Sequence, residues 1–177
     1  GASIMNEIRA LRNDPKMAPL AAGAGVPVIL MHMQGNPKTM QQEPTYKNVT
    51  AEVIEFLKSA AAEAQAKGIS PSKIFIDPGI GFGKTTAHNL TLIKHLSRFQ
   101  SLGLPIVIGT SRKAFIRKIL AGESAEPIAP HLPVVETGTR ATVAASVLAG
   151  AHILRVHDVA GTVAVVKITE AIKNAPD

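Results

Sequence analysis

The sequence has no cysteine and no tryptophan, a single tyrosine (Tyr46) and five phenylalanines in 177 residues. Without cysteine it forms neither disulfides nor thiolate metal sites, and a cysteine-free chain suits a reducing compartment. The shortage of aromatic rings matters more, because the chain is basic, with a formal charge of +6 and a pI near 9.8. Proteins that grip single-stranded nucleic acid interleave cations with rings on which bases stack. Here the 19 lysines and arginines are scattered and the rings are few, so no nucleic-acid partner is expected. No apolar run approaches the roughly 20 residues needed to cross a bilayer. Nor does an N-terminal segment join a basic stretch to an apolar one and a small-residue cleavage site. A soluble, cytoplasmic protein with no membrane partner is the expectation. With 46% hydrophobic and only 18% charged residues, the composition speaks against disorder and supplies apolar material for one globular core.

What is present alternates. Short β-branched runs at Ser3 to Ile8, Val26 to Met31, Ile74 to Ile76, Pro105 to Ile108 and Ala151 to Val156 predict five strands. Between them, Ala51 to Ala66 spaces Val53, Ile54, Leu57 and Ala61 at helical period and runs out at Lys67-Gly68, a basic last turn and a terminating glycine. Leu90 to Phe99, Glu136 to Leu148 and Val163 to Lys173 predict further helices, and Asp14-Pro15 reads as an N-cap followed by proline at the first helical position. Asn36 to Asn48 and Gly122 to Pro133 read as loops. Strands alternating with helices predict an α/β protein with parallel strands, and no repeat or linker divides the chain into more than one domain.

The apolar runs end in chemistry-capable side chains: Asn6-Glu7, His32 after Met31, Asp77-Pro78-Gly79, Ser111-Arg112-Lys113, and Arg155-Val156-His157-Asp158. Parallel strands deliver their C-terminal ends to one face, so five clusters far apart in sequence are expected to converge on a site. His32, between Met31 and Met33, reads instead as a core or supporting histidine. Gly79-Ile80-Gly81-Phe82-Gly83-Lys84-Thr85 ends like a phosphate-binding P-loop, but Pro78 stands where the first glycine belongs and removes a backbone donor. A dinucleotide fingerprint fails as well, because its third glycine would fall on Lys84. The glycines still let the backbone approach a flat ligand closely.

Taken together, Asp77-Pro78-Gly79-Ile80-Gly81-Phe82-Gly83-Lys84, Ser111-Arg112-Lys113 and Arg155-Val156-His157-Asp158 resemble the dihydropteroate synthases. Ile4-Met5-Asn6 and the stretch from Leu30 to Met40, through Asn36-Pro37-Lys38-Thr39, match that family in order and spacing, and the likeness covers nearly the whole chain. The resemblance implies a (β/α)₈ TIM barrel, of which residues 1–177 would supply about strands 4 to 8 as the C-terminal part of a single pterin-binding domain. It implies a transferase of folate biosynthesis, joining 6-hydroxymethyl-7,8-dihydropterin pyrophosphate to p-aminobenzoate and releasing pyrophosphate. By the same resemblance Asn6, Asp77 and Lys113 hydrogen-bond the pterin, and Met31 packs near it. Arg155 stacks on the ring and forms an anion pocket with His157. Gly81, Phe82 and Ser111 line the p-aminobenzoate side, Ser111 meeting the carboxylate and Lys113 bordering both substrates, and Gly109 is a further implied substrate-binding residue. Asp77, Lys113 and Arg155 are the implied catalytic residues.

Elementary chemistry agrees with several of these roles. A pterin's donor-rich edge suits a carboxylate that accepts paired hydrogen bonds and an amide beside it. A planar guanidinium can stack and still donate to phosphate from its rim. Glu7 departs from the aspartate usual in the family. The resemblance also implies magnesium, a homodimer and membership of a family that sulfonamides target. Further pterin, metal and p-aminobenzoate contacts would lie in strands ahead of residue 1, so this chain holds no expected metal ligand and is expected to be inactive alone. Two other readings remain open: a corrinoid methyltransferase that binds methyltetrahydrofolate, which should lack Ser111-Arg112-Lys113, and a pterin-binding protein without turnover.

Overall fold

Five short strands form within the predicted runs: β1 (Met5–Glu7), β2 (Val28–Met31), β3 (Ile74–Asp77), β4 (Val107–Ile108) and β5 (Ile153–Leu154). The computed structural model describes residues 1–35, 40, 42–122 and 126–176, so Asn36 to Thr39 of the family-like motif, and part of each predicted loop, lie outside the described residues. All pairings are parallel. Asn6 faces Ile29 across β1 and β2, Met31 faces Asp77 across β2 and β3, and Ile108 faces Leu154 across β4 and β5. A parallel bridge between Ile76 and Ile106 joins the two sheets, so the strands stand side by side in chain order, the arrangement of consecutive barrel strands.

Strand parity decides what becomes core. Met5, Val28, Leu30, Ile74, Ile76, Ile106, Ile108 and Leu154 belong to the two hydrophobic clusters that pack against helices. Because successive side chains point to opposite faces, Asn6, Met31, Asp77, Gly109 and Arg155 fall on the other face, which in a barrel is the inner one.

Helix α2 (Val49–Ala66) starts two residues ahead of the predicted Ala51 because Asn48 caps it, accepting a hydrogen bond from the Ala51 amide at 3.1 Å. It buries Val53, Leu57, Ala60, Ala61 and Ala64, and Gly68 leaves it at φ 91°, a left-handed exit that glycine takes at no steric cost. Leu57 is wholly buried, and truncating it to alanine would cost roughly 2–5 kcal/mol.

Helix α1 (Met17–Ala24) is not capped by Asp14 as predicted. The Asp14 carboxylate instead accepts from the Lys16 amide at 2.9 Å and forms a turn ahead of the helix. The predicted helix from Leu90 to Phe99 is two elements. Helix α3 (Thr86–Lys94) begins earlier, where Thr85 and His88 exchange hydrogen bonds in a capping box, and a 3₁₀ helix over Leu96–Leu102 follows, its three-residue repeat burying both Leu96 and Phe99. Helix α4 (Ala114–Ala121), which periodicity over eight residues did not reveal, buries Phe115 and Ile116. Helices α5 (Pro133–Leu148) and α6 (Val159–Lys173) begin at a proline and after an Asp158 cap respectively, each three to four residues before the sequence-based start. No helix among the described residues is long and apolar enough to cross a membrane.

Candidate functional site

β3 carries the buried centre of the site. Asp77 is 1% exposed, yet its carboxylate is fully employed: Oδ1 accepts from the Gly79 amide at 2.7 Å and Oδ2 pairs with Arg155 Nη2 at 2.8 Å. The other arm of the Arg155 guanidinium donates to Asn6 Oδ1 at 2.8 Å. Side chains from β1, from the end of β3 and from just beyond β5 thus meet on the inner face, separated by up to 149 residues in sequence. Gly109 makes room for this. A Cβ there would stand 2.9 Å from Arg155 Nη2, so the bare backbone lets the guanidinium lie across β4.

The loop after β3 supplies the second part. Gly79 and Gly83 have φ of 71° and 62°, and a Cβ on either would meet the backbone oxygen of His32 or Gln34, at 1.9 and 2.5 Å. Their role is to press the loop against the end of β2, not to wrap a phosphate. The loop presents the Phe82 ring, over which the Lys113 ammonium sits at 4.3 Å from the centroid. Lys113 is half-buried; burial first, and Arg155 second, hold its pKa below the usual lysine value, while Asp77 opposes the shift. Beside it a cavity of about 590 Å³ opens between the starts of α3 and α4, bordered by Gly81, Asn89, Lys84, Lys113 and Lys118.

Four expectations need correction in detail. Arg155 and His157 do not share an anion pocket, because β5 ends at Leu154 and the chain turns: Arg155 reaches Asp77, whereas His157 Nδ1 pairs with Ser111 Oγ at 2.8 Å. Ser111 is accordingly a partner of His157, apart from the Phe82 and Lys113 contact. Met31 is completely buried beneath Gly79, so it supports the site without offering surface. Glu7 turns away from the inner face; its carboxylate accepts from the amides of Arg9 and Leu11 and closes a turn in which Ala10 and Leu11 have φ of 53° and 62°.

Neighbouring strand-end residues also divide by direction. Arg112, at φ 57°, flips the chain between Ser111 and Lys113 and pairs outward with Glu136 at 3.1 Å. Asp158 caps α6 through the Gly161 amide and pairs with Arg140 at 2.8 Å. Sequence reasoning missed Lys84. It is 3% exposed, its Nζ 2.9 Å from His32 Nδ1 and 3.0 Å from the Phe82 carbonyl oxygen. The sequence places it in the family-like motif but does not mark its burial, since lysines lie outside by default. His32 is the buried supporting residue expected, edge-on to Phe56 with centroids 4.8 Å apart.

A buried carboxylate and a neighbouring amide on the inner face of parallel strands, with cations around a loop cavity, form a polar site at the strand ends of an α/β protein. The chain belongs to the pterin binding enzyme family, whose model matches residues 1–157. It is 41% identical over its whole length to dihydropteroate synthase of Escherichia coli strain K12, and spans 60% of that relative's length. The dihydropteroate synthase of Yersinia pestis, solved in a sulfonamide drug complex, superposes with a TM-score of 0.91 at 38% identity, over 99% of this chain and 61% of that one. The Xanthomonas albilineans enzyme, solved with 7,8-dihydropteroate, gives 0.86 at 38% identity, over 99% of this chain and 61% of that one. The fold is therefore α/β and that of the TIM-barrel synthases, as expected.

Proposed function

We propose that the protein takes part in dihydropteroate synthesis, with 6-hydroxymethyl-7,8-dihydropterin pyrophosphate and p-aminobenzoate as substrates. The observation that carries this reading is the buried Asp77, bonded together with Asn6 to a single guanidinium. A pterin edge presents the same planar donors as that guanidinium. Arg155 therefore holds the ligand's place. Pterin binding exchanges one guanidine-like group for another at Asp77 and Asn6, and releases the Arg155 cation to lie over the ring or meet the pyrophosphate.

In the reaction, the p-aminobenzoate nitrogen bonds to the pterin methylene carbon as the carbon–oxygen bond to pyrophosphate breaks, and the amine loses a proton. Positive charge spreads into the electron-rich ring while negative charge grows on the leaving group. Asp77 faces the first, and the freed Arg155 answers the second. On the other side, the Phe82 face and the cavity beside Lys113 and Lys118 suit an aryl ring ending in a carboxylate, and Gly81 keeps the approach to Lys113 open, since a Cβ there would come within 3.1 Å of the lysine Cδ. The methyltetrahydrofolate reading accounts less well for Ser111-Arg112-Lys113, whose three residues are each separately engaged.

Magnesium does not fit the residues present. Among the described residues no three His, Cys, Asp or Glu side chains converge, and the one buried carboxylate of the site is taken by Arg155, whereas magnesium needs an octahedral shell of oxygens. A cytoplasmic homodimer and sulfonamide binding belong to the same proposal; exposed Ile119, Val134, Leu148, Ile168 and Ile172 on α4 to α6 support a subunit contact. The test supplies the protein with both substrates and follows pyrophosphate release and 7,8-dihydropteroate. A full-length synthase carrying these residues should form product and its Asp77→Ala variant none, the 177 residues alone being expected to stay inactive; a full-length protein that binds the pterin but forms no product would favour a binding role alone.

A further inference from the structure

A buried lysine with no carboxylate partner is a costly thing to fold around, because an ammonium removed from water needs compensation that neutral acceptors supply only in part. Lys84 comes close to this: it is 3% exposed, none of the ion pairs among the described residues includes it, and Asp77 supplies only a more distant opposing charge. An apolar side chain of similar length would fill the same space without that cost. Its contacts suggest what the cation achieves. Nζ donates to the Phe82 carbonyl at 3.0 Å and to His32 Nδ1 at 2.9 Å. His32 is itself fixed, its amide donating to the Asp77 carbonyl at 3.0 Å and its ring edge-on to Phe56. Burial, together with the adjacent Lys84, keeps the imidazole neutral by lowering its pKa to about 3.

The loop over residues 79–83 is pinned at each step. Asp77 holds the Gly79 amide, Asn89 holds the Gly81 amide at 2.8 Å, and the Tyr46 hydroxyl donates to the Gly83 carbonyl at 2.8 Å. The Phe82 carbonyl is the remaining step, and Lys84 holds it. The same residue's ring carries the Lys113 ammonium at 4.3 Å.

We infer that Lys84 is a positioning residue: by tying the Phe82 carbonyl to His32 at the end of the neighbouring strand, it sets the height of the Phe82 ring under Lys113 and so shapes the aryl side of the site. The assignment of that side to an aryl amine rests on the synthase reading; the positioning itself does not.

Both can be read in one experiment. In isotope-labelled protein, the Lys113 ε-methylene protons should carry an upfield ring-current shift from Phe82. Lys84→Met, which keeps the length and loses the donors, should remove most of that shift and weaken p-aminobenzoate about tenfold in a titration followed by the Phe82 and Lys113 signals, the loss of a charge-assisted hydrogen bond. Lys84→Arg, which retains donors, should restore most of both. If Lys84→Met leaves the Lys113 shift in place, the positioning role is wrong. If wild type shows the shift and Lys84→Met loses it, yet p-aminobenzoate perturbs neither protein, the positioning stands and the synthase reading falls. Should Lys84→Met fail to fold, His32→Phe cuts the other end of the tie and must give the same loss of shift.

Discussion

Two aspartate–arginine pairs in this protein have the same 2.8 Å length and opposite meanings. Asp77 ends a strand and Asp158 comes soon after one, and both partners are about two-fifths exposed, at 42% for Arg155 and 43% for Arg140. Asp158 is 30% exposed, caps α6 and ties it to α5, so its bonds all serve the fold. Asp77 is 1% exposed and faces inward, where the proposed pterin edge would replace its partner. Bond length therefore says little about role. What separates the pairs is whether the carboxylate could find water if the arginine left: Asp158 could, and Asp77 could not, so only Asp77 requires a replacement donor.

That contrast is broken most sharply by removing each carboxylate. Asp77→Ala should weaken pterin binding by roughly 2–4 kcal/mol in calorimetry, because the ring's donors then enter a buried site without an acceptor. Unchanged affinity would place the ligand elsewhere. Asn6→Ala should act in the same direction and less, since it removes a neutral acceptor.

The buried pair of Lys84 and His32 should govern the pH dependence of stability. Burial holds Lys84 down to about 7 from an ordinary 10.5, and His32 down to about 3 from 6.5. In each window the unfolded chain binds a proton that the folded chain refuses, so stability is greatest above the unfolded value and falls as pH drops toward the folded one. Urea midpoints should decline from pH 10.5 to 7 and again from 6.5 to 3; Lys84→Met should flatten the upper decline and His32→Phe the lower. A flat wild-type profile between 7 and 10 would show that Lys84 is hydrated.

Asp158→Asn should lower the Tm slightly and leave pterin and p-aminobenzoate binding intact, because asparagine still caps α6 while the Arg140 pair is lost. The Gly161 amide first, and Arg140 next, hold the Asp158 pKa below the usual carboxylate value, so whatever it adds to stability should fade only in acid. Loss of ligand binding here would make the two aspartates equivalent. The smallest effect belongs to the exposed Arg12–Glu63 pair, at 36% and 48% exposure, where Arg12→Gln should change the midpoint by well under about 1 kcal/mol.

Much of this was legible without a structure. β-branched runs placed all five strands to within a few residues, because the cores of parallel strands must be apolar. Asn6, Asp77 and Lys113 stood out as polar groups ending those runs. The misplaced details share a cause. Ser111, Arg112 and Lys113 are consecutive, yet they reach His157, Glu136 and Phe82, since Arg112 takes a left-handed φ that no pattern of hydrophobicity encodes. Arg155 and His157 would share a side if β5 continued, but it stops at Leu154.

The sequence by itself determined the α/β class, the order of the strands and which side chains could carry chemistry, because those follow from period and residue type along the chain. Only the tertiary structure decided that Arg155 pairs with the buried Asp77, that Glu7 and Asp158 serve the fold, and that Lys84 lies buried beside the Phe82 carbonyl. Each of these depends on what another strand or loop, tens of residues away, leaves open or fills, and on whether water can reach the charge, which is a property of packing and not of the residue.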